Sequence, residues 1–127
     1  MLELLEKDLV YRIVGCAMKV HSGVGYGLRE KTYERALCRE LAHEGISFSR
    51  QKVYPVVYRH EVIDEYIPDL EVEQKVLVET KTIDAIADIE RGQMLNYLRI
   101  SGLKVGLIVN FKRPSLQWER VVLDSGR

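Results

Sequence analysis

The sequence predicts an α/β protein: a mixed central sheet flanked by helices, with an extra helix at the N-terminus. Two stretches carry this prediction. Val76-Leu77-Val78 and Leu103–Phe111 (LKVGLIVNF) are near-continuous apolar runs, the pattern of central strands buried on both faces. Between them, Asp84–Ser101 has helical spacing, so the two strands should run parallel through a right-handed crossover. A chain of 127 residues is long enough for one domain with a real core, so residues 1–127 are read as a single unit.

Taken in order, Leu2, Leu5, Leu9, Ile13, Cys16, Ala17 and Val20 recur at intervals of three and four. They predict one amphipathic helix over most of the first twenty residues. His21-Ser22-Gly23 and Gly25-Tyr26-Gly27 should end it in a glycine-rich loop. No strand precedes these glycines and no Lys-Ser/Thr follows, which argues against a nucleotide-binding phosphate loop and for a flexible link between two helices. His21 in such a place caps or packs, and the sequence assigns it no further role. A second helix should cover Leu28–Ala42, with Tyr33, Ala36, Leu37 and Leu41 as its apolar stripe. Glu30 shares that face, and a carboxylate in the first turn also complements the helix dipole.

Gly45 should close this helix. Phe48–Tyr58 then has strand character, with Pro55 marking an edge or a bulge. Arg59-His60-Glu61 is expected to turn the chain into Val62-Ile63 and on toward Asp69. The implied arrangement is a three-stranded antiparallel meander ending at Lys81. In the helix after it, Ile86, Ile89, Gln93, Tyr97 and Ile100 fall along one side. Gln93 and Tyr97 place two polar heads where leucine would be the default. Their ordinary use is a satisfied backbone group and an amphipathic core tyrosine. A final strand, Leu116–Leu123, carries the single Trp, Trp118, and should lie at the sheet edge.

Composition narrows the function classes. The formal net charge is zero, so any nucleic-acid surface must be a local patch. No apolar run approaches membrane-spanning length, and MLELLEKDLVYR lacks the order of a signal peptide. Cys16 and Cys38 have no metal-ligand spacing and read as reduced core thiols, so the expected compartment is cytoplasmic.

The chemistry concentrates in Ile67–Lys81, IPDLEVEQKVLVETK. Glu79 ends the apolar run, and a carboxylate at the rim of a core is costly unless paired or bound to a metal. Lys81, two residues on, points to the same face. Asp69 joins them only in one register. A three-residue turn at Glu73-Gln74-Lys75 sets Asp69 opposite Glu79, whereas a two-residue turn at Glu73-Gln74 sets it against Val78 and sends Glu79 away. We take the odd turn. Two carboxylates and a lysine then converge, a cradle for a divalent cation and an activated water. Taken alone, these residues fit a cross-strand ion pair on a solvated face better.

Wider motifs change that balance. The order α–β–β–β–α–β with Asp69…Glu79-Thr80-Lys81 at its centre resembles the restriction-endonuclease-like core of the PD-(D/E)XK nuclease superfamily. Gly27-Leu28-Arg29-Glu30-Lys31-Thr32-Tyr33 resembles the motif that names the GxxExxY protein family. Each motif is short; their order and spacing span nearly the whole chain. The resemblance implies that Asp69 and Glu79 bind Mg2+ or Mn2+, with the carbonyl of Thr80 as a further ligand. Lys81 would orient the attacking water and offset charge at the scissile phosphate, and Glu30 would be an additional acid. Gln93 and Tyr97 match a Gln-x-x-x-Tyr motif whose residues support the lysine and contact the substrate.

The residue chemistry agrees. Hard oxygen ligands suit magnesium, and no His or Cys cluster points to zinc. Candidates for phosphate contacts are Arg29, Lys31, Arg50, Lys52, Lys112 and Arg113, which serve equally as solvated surface. Two functions follow. One is a metal-dependent nuclease acting on DNA, with a homodimer as a candidate state. The other is a non-catalytic nucleic-acid- or protein-binding module that retains the fold.

Overall fold

The computed structural model describes residues 5–124; Leu2 of the predicted first helix lies outside them. Three helices and seven strands follow one another: α1 (Lys7–Val24), α2 (Glu30–His43), β1 (Phe48–Ser49), β2 (Tyr54–Tyr58), β3 (Glu61–Tyr66), β4 (Leu70–Val72), β5 (Val76–Lys81), α3 (Asp88–Ser101), β6 (Val105–Asn110) and β7 (Gln117–Val122). Five strands form one sheet in the order β1-β4-β5-β6-β7. Its β5–β6 pair is parallel, and the other neighbours are antiparallel.

The two apolar runs are central strands, as their composition predicts. Val76, Val78, Val105, Leu107 and Val109 face a core shared with α1 and α2. The alternate residues Leu77 and Ile108 face a second core with Met94 and Leu98 of α3. Every residue of β6 is buried, because both faces of the sheet are covered. Gly106 lets α3 come close: a Cβ at that position would lie 2.3 Å from Sδ of Met94. β7 is an edge strand, as expected.

Four details differ from the sequence-based expectation. α1 runs one turn further than predicted, past His21 to Val24, and stops at Gly25, whose φ of 81° suits glycine. α3 begins at Asp88 and not Asp84, because residues 82–87 form a loop pinned by Asn110 and Gln117. The buried face of α3 is Met94 and Leu98, while Ile89 is 66% exposed. A helical period identifies residues that share a face; here the close seating over Gly106 selects which face is inward.

The fourth difference is larger. The predicted meander divides. Phe48–Ser49 alone extends the main sheet beside β4, and β2–β3 form a separate two-stranded hairpin. Pro55 cannot donate a ladder bond, and the register shifts between Val56 and Val57. The hairpin turns through Arg59 and His60, both at positive φ, the two-residue geometry that matches strand twist without a glycine. Its inner residues Tyr54, Val56 and Tyr66 pack onto the α3-side core. Among the described residues no helix is long and apolar enough to cross a membrane. Cys16 and Cys38 are buried free thiols.

Candidate active site

The β4–β5 turn has the odd length. Val72 pairs with Val76 and Leu70 with Val78, and the Lys75 N–H returns to the Val72 carbonyl at 3.0 Å. Carrying that register one residue further sets Asp69 opposite Glu79: the Glu79 carboxylate takes the Asp69 amide, and the Asp69 carboxylate takes Thr80, the residue after Glu79. The Asp69 N–H donates to Oε2 of Glu79 at 3.3 Å. Oδ2 of Asp69 accepts the Thr80 N–H at 2.9 Å and the Thr80 hydroxyl at 3.0 Å. Pro68, buried just before Asp69, holds this segment extended and keeps it close to β5.

In both carboxylates, burial outweighs Lys81, which favours the ionised form. Burial, and then the charge of Asp69, push Glu79 up to about 7. Burial also raises Asp69, against the two Thr80 hydrogen bonds that favour its ionised form. Lys81 stands half-buried at the end of β5 and forms no ion pair with either acid among the described residues. The simple cross-strand ion pair is therefore not what the structure contains. Two adjacent oxygen-donor groups with raised pKa values fit a hard divalent cation that keeps several waters. Among the described residues, no three His, Cys, Asp or Glu side chains gather closely enough to form a fuller cluster.

The other predicted residues take distinct positions. Glu30, in the first turn of α2, accepts the Thr82 N–H at 3.1 Å, one residue beyond Lys81, so it reaches the same rim of the sheet. Tyr97 is half-buried and its ring stacks on Tyr66 at a centroid separation of 4.0 Å. Burial, and then the Glu79 charge, raise its pKa. Gln93 lies exposed one turn away on α3 and forms no hydrogen bond among the described residues. Of the predicted phosphate contacts, Lys31 and Arg50 both bind the buried Glu34, at 3.2 and 3.0 Å. Lys52 binds the buried Glu71 at 3.1 Å. Lys112 pairs with Asp84 at 2.6 Å, and Nε of Arg113 donates to the Asp84 carbonyl at 2.9 Å. Arg29 is exposed.

Sequence reasoning passed over three residues. Tyr66 donates its hydroxyl to Oε2 of Glu79 at 2.8 Å from the end of the hairpin. Only the folding-over of β2–β3 brings it there, so no local pattern announces it. Glu34 follows Glu30 by four residues, and that spacing is a signal the sequence does contain. Glu71 sits between Leu70 and Val72 inside a strand buried on both faces, and the Tyr54 hydroxyl also bonds it. His21 is buried and packs; its Nε2 lies 2.7 Å from the Arg113 carbonyl and its ring stacks on Phe111.

Comparison with known proteins bears on the fold and the family. The chain is similar in fold to the crystal structure of SSO0001, with a TM-score of 0.60 at 12% identity, over 73% of this chain and 49% of that one. It is also similar to an alkaline exonuclease (LHK-Exo) from Laribacter hongkongensis, with a TM-score of 0.50 at 13% identity, over 76% of this chain and 56% of that one. The chain thus spans about half the length of either structure. No curated protein matches it. The profile of the PD-(D/E)XK nuclease superfamily matches residues 7–121, nearly the whole chain, and the chain belongs to that superfamily.

Proposed function

We propose that this protein is a metal-dependent phosphodiester hydrolase acting on nucleic acid, with DNA as its substrate. The observation that carries the proposal is the pairing of Asp69 with Glu79: two partly desolvated carboxylates side by side, with no ion pair to neutralise them among the described residues. Asp69 and Glu79, with the carbonyl of Thr80, would hold Mg2+ or Mn2+. When bound, the cation neutralises charge developing on the phosphate and lowers the pKa of a water. Lys81 orients that water and offsets charge at the scissile phosphate. Glu30 holds the β5 exit through Thr82, Tyr97 and Gln93 line the α3 side, and the basic residues named above supply phosphate contacts. Membership of the GxxExxY family, a cytoplasmic location and a homodimer complete the reading.

Calorimetric titration of manganese, extended to millimolar metal, into the wild type and Glu79→Gln tests it. Binding by the wild type that disappears in the variant is expected. Absence of binding in both would favour the second reading, a non-catalytic nucleic-acid- or protein-binding module. That alternative draws support from Glu30, whose carboxylate is already used on the Thr82 amide. Under it, Lys81→Ala would change stability and no activity.

A further inference from the structure

An open cleft of about 370 Å3 adjoins Asp69 on the side of α2. Its walls include Lys31, Glu34, Gln51, Val53, Ile67 and Asp69. Three features of this cleft are not needed by the carboxylate site. Glu34 is buried in its wall, its side chain 7% exposed, and holds Lys31 through Oε1 and Arg50 through Oε2. Val53 and Ile67 leave about half of their surface open to solvent, 48% and 49%. Gln51 has φ 61°, in the left-handed region that a residue with a side chain seldom adopts. Strain of this type persists where the surrounding structure enforces it, often at ligand sites.

We propose that this cleft seats one unpaired nucleotide next to the scissile phosphate, so that the preferred substrate is single-stranded or frayed at the cleaved position. The inference rests on the nuclease reading above and names its substrate class. The volume is within the range of small-ligand sites, whose lower limit is about 300 Å3. A base pair held in a duplex is too broad and too rigidly stacked to enter, whereas a free base can lie against apolar side chains. Val53 and Ile67 offer such walls, and their exposure otherwise leaves apolar surface in water. Lys31 and Arg50 each engage Glu34 through a single nitrogen, so further N–H donors remain for a phosphate. Glu34 fixes where those donors sit. Asp69 then stands at the junction of the nucleotide seat and the candidate metal site.

The test is fluorescence anisotropy with a labelled oligodeoxythymidine and a blunt duplex of equal length, in chelator. The proteins are the wild type and the double variant Val53→Ser/Ile67→Ser, whose exposed positions should leave the fold intact, as melting will check. The wild type should bind the single strand about tenfold more tightly than the duplex. The double variant should lose about that factor on the single strand and keep its duplex affinity, the scale of the apolar burial lost with the two side chains. Equal affinity for both DNAs, no binding by the wild type, or a double variant that binds the single strand as the wild type does, would each overturn the inference. Manganese titration of the same proteins separates the two ideas. Metal binding with unaltered oligonucleotide affinity in the variant defeats the cleft alone. The expected oligonucleotide behaviour without metal binding defeats the nuclease reading alone.

Discussion

The hydroxyl of Tyr66 donates to Oε2 of Glu79 at 2.8 Å, while its ring stacks closely on Tyr97, 4.0 Å between centroids, with Tyr54 farther off at 6.5 Å. One hairpin residue thus orients the buried carboxylate and closes the α3 side of the site. Glu79 accepts only one other hydrogen bond among the described residues, the long one from the Asp69 amide.

Tyr66→Phe should keep the ring stack and lose the donor. A hydrogen bond to a charged group is worth about 2 kcal/mol net, so melting above neutral pH should fall by several degrees. The hydroxyl favours ionised Glu79, so its removal should also weaken manganese binding by about tenfold. Unchanged metal affinity would show that Tyr66 only packs.

Glu79 makes the metal-free protein sensitive to pH, and the sign follows from its raised pKa. The folded state retains a proton that the unfolded chain releases, so this contribution to stability is full below about 4.5 and is lost as pH rises through about 7. The gap corresponds to roughly 3 kcal/mol at most. In chelator, Glu79→Gln should therefore melt higher than the wild type at about pH 8, with the difference shrinking toward about pH 5. Parallel melting curves across that range would contradict the buried, uncompensated carboxylate.

Gly106→Ala tests the seating of α3 on β6. The added methyl would meet Sδ and Cγ of buried Met94 at 2.3 and 2.6 Å. Met94 is flexible but enclosed, so overpacking should cost about 2 kcal/mol, read as a lower urea midpoint. A midpoint equal to that of the wild type would mean that α3 does not approach so closely.

Much of the candidate site was legible before folding was considered. The apolar run Val76–Val78 and the charges at Glu79 and Lys81 identify a central strand that ends in chemistry. Of the two turn lengths the sequence allows, the odd one over Glu73-Gln74-Lys75 sets Asp69 against Glu79, and it is the one that forms. Glu30 announces itself as an acid on an apolar helical face, and it does reach the β5 exit at Thr82. Tyr66, Glu34 and Glu71 escaped because each owes its role to a partner from another element: Glu79 for the first, Arg50 for the second, Lys52 and Tyr54 for the third.

By itself, the sequence determined the order of helices and strands, the buried central strands and the parallel β5–β6 pair. These follow from periods of two and 3.6 residues and from local turn length, all short-range properties of the backbone. Tertiary structure alone decided that β2 and β3 leave the main sheet and fold over α3. It also decided that Met94 and not Ile89 turns inward, and that Glu34 gathers Lys31 and Arg50 beside Asp69. Periodicity states which side chains share a face and is silent on what that face meets. Such pairings follow from how the two cores fill and how buried charges find partners, which only the assembled molecule settles.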